Sequence, residues 1–475
     1  MTSNTSIDAT METAIAAQRA GRNDEATRLY RAVLQQQRDH AVANHNLGVL
    51  TAQRGDLPRS LPLFEAALQA QPGEPIFWLS YARGLVFAGR AGEAVETLWS
   101  ARQRGFTGPS FDALASQAIT RQDPAEKAPH TAETLDRLGS ALAERGDIDN
   151  AIHAFRQAID LKPDFAEAHF HLGSVLSETG QIAQGFAHFM RRAELVHGSA
   201  AATCDKPARP DPMHRLKHDR EQREYFASFG AGIDAVTGAA TANGGGYFHV
   251  ENGARLEQPA VNPDNATAEL FTQWREGSPQ LVVIENFLTE PALKQLRRYC
   301  AGSTIWRRNY AAGYIGATPE DGFACPLLAQ IAEEIQATYA EILRNHRFRY
   351  LGAFKYDSEL STGTNTHADN SAVNVNLYIA PDDANLDASS GGMKIWDVGA
   401  PDEASMRRNN GDEDAARDFL ARSGAKATVV PHRANRAVIF KSALFHKTDD
   451  CRFKEGYLNK RINVSLLFGN LGDPT

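Results

Sequence analysis

The spacing of apolar and polar positions divides the chain into a helical part and a strand-rich part. Over about the first 200 residues, apolar positions recur every three or four residues and are interrupted by glycines, the pattern of amphipathic helices. Beyond Asn265, short apolar runs alternate with turn residues, which is typical of β-strands. The sequence therefore predicts a helical region followed by a region built mainly of strands.

Glycines in the helical part recur with a fixed period. Gly21, Gly55 and Gly89 lie 34 residues apart, and Gly146 and Gly180 are separated by the same interval. Each period holds two helical patterns around the glycine, so each predicts a helical hairpin. Small residues recur where the two helices of a hairpin would cross closely: Gly48, Ala82, Gly139 and Gly173.

This repeat resembles the tetratricopeptide repeat family. Residues 106–131 break the phase and predict a degenerate or shortened unit. The resemblance implies an all-α solenoid whose concave groove holds a protein or peptide segment, or one that serves only in assembly. Five units match: 7–40, 41–74, 75–108, 132–165 and 166–199.

The strand-rich part predicts a barrel or a double-sheet jelly roll. Helices are expected over 289–300 and 326–345, between strands. We expect three regions: repeats over 1–199, a linker over 200–265, and the strand-rich domain over 266–475. The predicted strands are 281–287, 350–356, 371–380, 393–398, 427–432, 436–446 and 461–469.

The linker is rich in Ala, Gly, Asn and Pro but contains a charged segment over 214–229. Acidic and basic residues are interleaved there. A basic contact patch and a solvated helix joining two domains are both compatible with the segment, and the mixed signs favour the solvated helix.

Composition narrows the class of protein. The 475 residues suggest two to four domains, and a net charge of −8 argues against a chain-wide surface for nucleic acid or acidic membrane. The four cysteines form no CxxC pair, so a zinc site or disulfide framework is not indicated. The N-terminus has no signal-peptide pattern and no apolar run reaches membrane-spanning length. We expect a cytoplasmic protein with no membrane or nucleic-acid partner.

Two histidines and an aspartate form the candidate metal site. His367 and Asp369 are two positions apart on an expected strand and therefore share a face, and His446 follows 77 residues after Asp369. Three ligands on one side of a metal leave positions open. This arrangement suits Fe(II) that binds an oxoacid through two atoms and then O₂.

Further polar residues lie on single faces of the neighbouring strands. Arg461 and Asn463 share one face of the last strand with Ser465, and arginine suits a remote carboxylate because its donors bind bidentately. Asn376 and Tyr378 alternate with apolar residues in the same way. These side chains are predicted to line one cavity.

The segments HADNSAVNVNLYIAP, SGGMKIWDV, VPHRANRAVIFKSALFHKT and RINVSLLFG, in that order, resemble the iron(II)/2-oxoglutarate-dependent oxygenases, near the prolyl-hydroxylase-like branch. The resemblance runs from about Leu281 to Gly469 and implies a double-stranded β-helix, a form of jelly roll. It implies that His367, Asp369 and His446 bind iron. It also implies that Arg461 binds the distal carboxylate of 2-oxoglutarate, with help from Tyr356 or Tyr378.

The chain departs from that branch at two places. The branch usually anchors the carboxylate with lysine, nearer to the distal histidine, which makes Lys454 and Lys460 rivals of Arg461. The strand phase favours Arg461. The insertion over 399–425 is either a lid over the site or a helical surface excursion.

The two resemblances together imply an Fe(II)- and 2-oxoglutarate-dependent dioxygenase. It would hydroxylate a side chain of a protein or peptide recruited by the repeats, consuming O₂ and releasing succinate and CO₂. The alternatives are a small-molecule oxygenase whose repeats serve assembly, and a non-catalytic repeat scaffold.

Overall fold

The structure, a computed structural model, describes residues 2–106, 108–121, 131–198, 212–229, 249–361, 364–400 and 412–471. These residues form two compact units, Met1–Pro163 and Asp164–Thr475. No described helix is both long enough and apolar enough to cross a membrane.

The first unit is a run of helices in which consecutive helices pack in pairs. Four predicted repeats are confirmed as hairpins, and the break over 106–131 contains one described helix, α7. The described helices are α1 (Thr2–Arg19), α2 (Asn23–Gln36), α3 (Ala41–Gln53), α4 (Leu57–Ala70), α5 (Pro75–Phe87), α6 (Ala91–Gln103), α7 (Pro109–Thr120), α8 (Ala132–Glu144) and α9 (Ile148–Leu161).

The hairpin of α8 and α9 shows why glycine recurs at two positions. Gly146 ends the turn after α8 at φ 77°, a left-handed conformation that glycine adopts without strain. Gly139 lies inside α8, where an added Cβ would lie 2.6 Å from the ring of the buried Phe155. The absence of a side chain at Gly139 lets the two helices approach closely.

The second unit begins with the fifth predicted hairpin. It comprises α10 (Ala166–Glu178) and α11 (Ile182–His197). The remaining described helices are α12 (Met213–Ala227), α13 (Ala268–Glu276), α14 (Glu290–Ala301), α15 (Pro326–Thr338), α16 (Ala340–Leu343) and α17 (Glu413–Arg422).

The last hairpin shares a core with the strand-rich part of its unit. The Phe186 and Phe348 rings are 5.8 Å apart, and the Ala183 N–H donates to the Glu333 carboxylate at 3.2 Å. The repeats thus continue to about residue 197, as predicted, while the boundary between compact units falls earlier, after Pro163.

The strands of the second unit form two antiparallel sheets. The large sheet has the order β1-β8-β5-β10-β4-β3-β2, and the small sheet has the order β7-β6-β9. The main core lies between the large sheet and helices α14 and α15. The strands are β1 (Leu281–Ile284), β2 (Arg308–Asn309), β3 (Tyr314–Ala317), β4 (Phe348–Tyr356), β5 (Val373–Tyr378), β6 (Met393–Gly399), β7 (Ala427–Val430), β8 (Ala437–Lys441), β9 (Leu444–Thr448) and β10 (Arg461–Phe468).

Two features of the sheets differ from the sequence prediction. The prediction of a single strand over 436–446 is wrong. A turn at Ser442 and Ala443 separates β8 in the large sheet from β9 in the small sheet. The short strands β2 and β3 were not predicted, because they offer too few residues for a clear alternation. The first difference places His446 in the small sheet, where it forms an antiparallel bridge with His367.

The charged helix α12 is not the solvated connector that we expected. Its His218, Gln222 and Phe226 are buried, and Gln222 donates to the backbone carbonyl of Ser303 and to the Tyr457 hydroxyl. The linker segments 199–211 and 230–248 lie outside the described residues, as does Cys204.

We predict that Gly139→Val lowers the free energy of unfolding by about 1–3 kcal/mol, because the new side chain overpacks against Phe155. Urea denaturation followed by circular dichroism measures the change. Ser140→Val is the matched control, since it adds the same β-branched residue at a half-buried position of the same helix. An unchanged urea midpoint for Gly139→Val would contradict the close crossing of α8 and α9.

Candidate metal centre

Backbone pairing between two distant segments assembles the predicted ligands. The His367 N–H donates to the His446 carbonyl at 3.0 Å, and the His446 N–H donates back at 2.8 Å. One candidate ligand atom from each of His367, Asp369 and His446 lies within 4.8 Å of the other two. Within the described ranges, no other three His, Cys, Asp or Glu side chains converge in this way.

Both histidines are oriented by backbone carbonyl groups. Nδ1 of His367 lies 2.7 Å from the Asn365 carbonyl oxygen, and Nδ1 of His446 lies 2.9 Å from that of Leu444. A carbonyl can only accept, so each Nδ1 carries the proton and each Nε2 presents a lone pair. Burial lowers the pKa of His367, and the nearby His446 lowers it further, which favours the neutral, ligating form.

Asp369 faces both imidazoles with its carboxylate. Its oxygens lie 3.4 Å from Nε2 of His446 and 4.0 Å from Nε2 of His367. Burial raises the pKa of Asp369, but the neighbouring imidazoles of His446 and His367 and the hydrogen bond from Asn374 outweigh burial and bring the pKa down to about 2. Asn374 donates to the same carboxylate at 2.6 Å and orients it. The carboxylate of Asp369 is therefore ionised at neutral pH and available as a candidate ligand.

Arg461 is the second marked feature of the cavity. It is 1% exposed, and its guanidinium donates to the carbonyls of Gly391 at 2.7 Å and Gly392 at 3.0 Å and to Asn463 Oδ1 at 2.8 Å. No described carboxylate forms an ion pair with it. A buried cation whose partners are neutral is suited to bind an anion.

The three candidate ligands and Arg461 line one cavity of about 480 Å³ between the sheets. Tyr356, Asn376 and Asn463 line it as well, and Asn376 Oδ1 is buried without a hydrogen-bond partner in the described part of the chain. Tyr378 does not line the cavity. It lies beside the Arg461 guanidinium, 5.6 Å from ring centroid to Cζ, while Tyr356 lies closer at 4.6 Å.

Neither lysine rival lines this cavity. Lys454 is half-exposed and lies 3.6 Å from the Asp383 carboxylate. Lys460 is buried, but it is paired with Asp357 and lies 3.3 Å from Glu221, away from the triad. Arg461 is therefore the cation that this structure presents to the cavity.

An aromatic wall extends the cavity beyond the metal ligands, and the sequence analysis did not identify it. The Tyr310 and Tyr314 rings stack at 4.4 Å, Tyr314 stacks on Tyr356 at 4.9 Å, and the Phe354 edge packs on both of the first two rings. The wall comes from β3, β4 and the turn between β2 and β3. The only sequence signal for the wall is the pair Tyr310 and Tyr314, which lie at the two ends of that turn.

The described part of the insertion over 399–425 packs against the segment that carries His367. The Thr366 amide and hydroxyl both donate to the Glu413 carboxylate of α17, at 2.6 and 2.9 Å, and Leu420 packs with Phe445. None of the described residues of the insertion lines the cavity. Residues 401–411 of the insertion lie outside the described residues, so the prediction of a lid is untested there.

The residues of the site fit the groups that the sequence predicted. Two imidazole Nε2 atoms and one carboxylate are a donor set that suits Fe(II) with positions left open. The Arg461 guanidinium, which has no carboxylate partner among the described residues, supplies donors for the carboxylate of an oxoacid.

Comparisons with known proteins identify the repeats. The models described as "Tetratricopeptide repeat" and "TPR repeat" match residues 11–75 and 139–180, so the chain contains tetratricopeptide repeats. The structure of MamA 41-end from Desulfovibrio magneticus RS-1 is 19% identical, with 40% of this chain and 94% of that chain covered and a TM-score of 0.20. That of YrrB, titled "a TPR protein with an unusual peptide-binding site", is 16% identical, with 39% and 84% covered and a TM-score of 0.20. No curated protein matches the chain.

We predict that Asn374→Ala weakens metal binding about 10–100-fold, because the Asp369 carboxylate loses the hydrogen bond that orients it. Anaerobic titration with Co(II), followed by its visible absorbance, measures the affinity. Ser465→Ala is the control: Ser465 donates to Asn374 at 3.1 Å and does not touch the carboxylate, so its effect should be smaller. Equal affinities for wild type and Asn374→Ala would contradict the orienting role.

Proposed function

We propose that this protein is an Fe(II)- and 2-oxoglutarate-dependent oxygenase that hydroxylates a side chain of a protein or peptide. One observation carries the proposal. The triad of His367, Asp369 and His446 lines the same cavity as a buried arginine, Arg461, that has no carboxylate partner in the described part of the chain. The triad suits a metal ion, and the arginine suits the distal carboxylate of a dicarboxylate.

The path of the chain supports a double-stranded β-helix. From β4 onward the chain passes repeatedly between the sheets: β4, β5, β8 and β10 belong to the large sheet, β6, β7 and β9 belong to the small one, and the His367 bridge pairs with β9. This distribution is compatible with the two four-stranded layers of a jelly roll. The candidate ligands lie at the edge where β9 meets the His367 segment.

The chain's own residues would each perform a defined part of the reaction. His367 and His446 hold the metal through Nε2, and Asp369 holds it through a carboxylate that Asn374 orients. Fe(II) bound there supplies O₂ activation coupled to the conversion of 2-oxoglutarate to succinate and CO₂.

Arg461 binds and aligns the distal carboxylate of 2-oxoglutarate through a guanidinium fixed by two backbone carbonyls. Thr448 donates to the Tyr356 hydroxyl at 3.1 Å and so fixes that ring beside Arg461. The stacked wall of Tyr310 and Tyr314 excludes water and offers an apolar surface to the substrate. Together these residues would align the reacting groups and exclude water from them.

The repeats favour a protein or peptide substrate over a free metabolite, because tetratricopeptide hairpins commonly present a groove for such segments. They also favour a second candidate function, a non-catalytic scaffold that binds proteins through the repeats. Retention of all three metal ligands and of Arg461 supports the oxygenase over this scaffold.

We predict that wild type binds one Fe(II) and one 2-oxoglutarate per chain and forms succinate slowly when O₂ is added. Arg461→Met should keep the metal but weaken 2-oxoglutarate binding by at least about 30-fold, because the dicarboxylate loses a buried ionic partner. His367→Ala should lose metal binding and succinate formation together. Anaerobic titration followed by succinate assay measures each step.

Lys454→Met is the matched control for Arg461→Met, because it also replaces a cation by methionine, at the half-exposed residue that rivalled Arg461 in the sequence analysis. It should leave the affinity for 2-oxoglutarate unchanged. Failure of wild type to bind Fe(II) or 2-oxoglutarate would overturn the oxygenase proposal and leave the scaffold. Stimulation of succinate formation by peptides but not by small metabolites would support the substrate class proposed here, and the reverse result would overturn it.

A further inference from the structure

A second cavity lies within the same unit, on the opposite face of the large sheet. Lys355 and Ile462 are register partners on β4 and β10, and both line it. Their neighbours Tyr356 and Arg461 line the metal cavity, and successive residues of a strand face opposite sides. The second cavity has a volume of about 540 Å³, within the range of about 300–1,000 Å³ of small-molecule sites.

Positive groups dominate the described lining of this cavity, which includes one carboxylate, that of Glu290. Two of the cations are already paired. Lys460 is bound by Asp357 and Glu221, and Arg298 by Glu251. The cationic side chains in the lining are Lys294, Arg297, Arg298, Lys355 and Lys460.

Arg297 lacks an acceptor for part of its guanidinium. Its Nε donates to the Ile379 carbonyl, but Nη2 is buried and has no hydrogen-bond partner among the described residues. Asp382 and Asp383 are near enough to raise its pKa, although burial lowers it on balance, and neither forms an ion pair with it in the described structure. A buried donor without an acceptor costs free energy that a bound anion would recover.

Lys355 is the second cation without an oxygen partner. It is 4% exposed, and its Nζ lies 3.4 Å from the Tyr457 ring centroid and 5.4 Å from that of Trp306. No described oxygen accepts a hydrogen bond from it. Burial holds the pKa of Lys355 well below its ordinary range; Glu221 acts in the opposite direction, and Lys460 lowers the pKa further. Contact with the faces of aromatic rings offsets only part of the free-energy cost of burying an ammonium group.

The rest of the lining is largely apolar, with Leu293, Pro381 and Ile462 beside the Tyr457 ring. We propose that this cavity is a binding site for a small organic anion, whose carboxylate or phosphate pairs with Arg297 and Lys355 and whose apolar body packs on these side chains. The site is separate from the metal cavity, and the proposal does not depend on the oxygenase activity.

The test uses the full chain and three probes in isothermal titration calorimetry: phenylphosphate, phenylacetate and benzyl alcohol. We expect one phenylphosphate or phenylacetate per chain and at least tenfold weaker binding of benzyl alcohol, which lacks the charge. The ratio of the two anions distinguishes a phosphate site from a carboxylate site. Arg297→Gln should weaken the preferred anion at least tenfold.

Arg298→Gln is the matched control, since it removes the same charge from the adjacent, exposed position that already pairs with Glu251. It should change the affinity less than threefold. Lys355→Met should reproduce the loss seen in Arg297→Gln, and thermal unfolding of each variant shows whether it is folded. Arg461→Met should leave binding of the probe unchanged, because that residue lies in the other cavity. Absence of anion binding, or equal loss in Arg297→Gln and Arg298→Gln, would overturn the proposal.

Discussion

The reciprocal backbone hydrogen bonds between His367 and His446 are the contact on which the candidate site depends. They join segments far apart in the chain and bring the two imidazoles to a centroid separation of 4.3 Å. The pairing requires β9 to leave the large sheet after β8, which the turn at Ser442 and Ala443 allows. Asp369 is tied to the same turn, because its N–H donates to the Ser442 carbonyl at 3.0 Å. The passage of the chain from the large sheet to the small sheet after β8 therefore positions all three candidate ligands.

The opposite end of the cavity depends on backbone geometry as well. Gly391 and Gly392 direct their carbonyls at Arg461, and a Cβ on Gly392 would lie 1.9 Å from the Val430 carbonyl oxygen. The glycine pair thus lets β6 approach its neighbour closely while it holds the guanidinium. Because the guanidinium is fixed by neutral groups, its charge remains available to a ligand.

Sequence reasoning reached the repeats because a period of 34 residues is a signal spread over many positions. It also placed Arg461 and Asn463 on one face of β10, since alternation along a strand is a local property, and both line the cavity. It failed at residues 436–446, because the turn at Ser442 and Ala443 contains no glycine or proline to mark it. The strand phase also favoured Arg461 over Lys460, its neighbour in the sequence. Their opposite fates, one in the cavity and one paired with Asp357, depend on tertiary contacts.

The pair of strands β4 and β10 carries a buried cation on each face, and aromatic rings accompany both. Arg461 lies beside Tyr356 and Tyr378 on one face, and Lys355 lies beside Tyr457 and Trp306 on the other. Carboxylates at these positions would stabilise the cations more strongly, but they would also neutralise them. Ring faces reduce the cost of burial and leave the positive charge uncancelled. A buried basic side chain in contact with aromatic rings therefore occurs on both faces of this sheet, although only one face adjoins the candidate metal ligands.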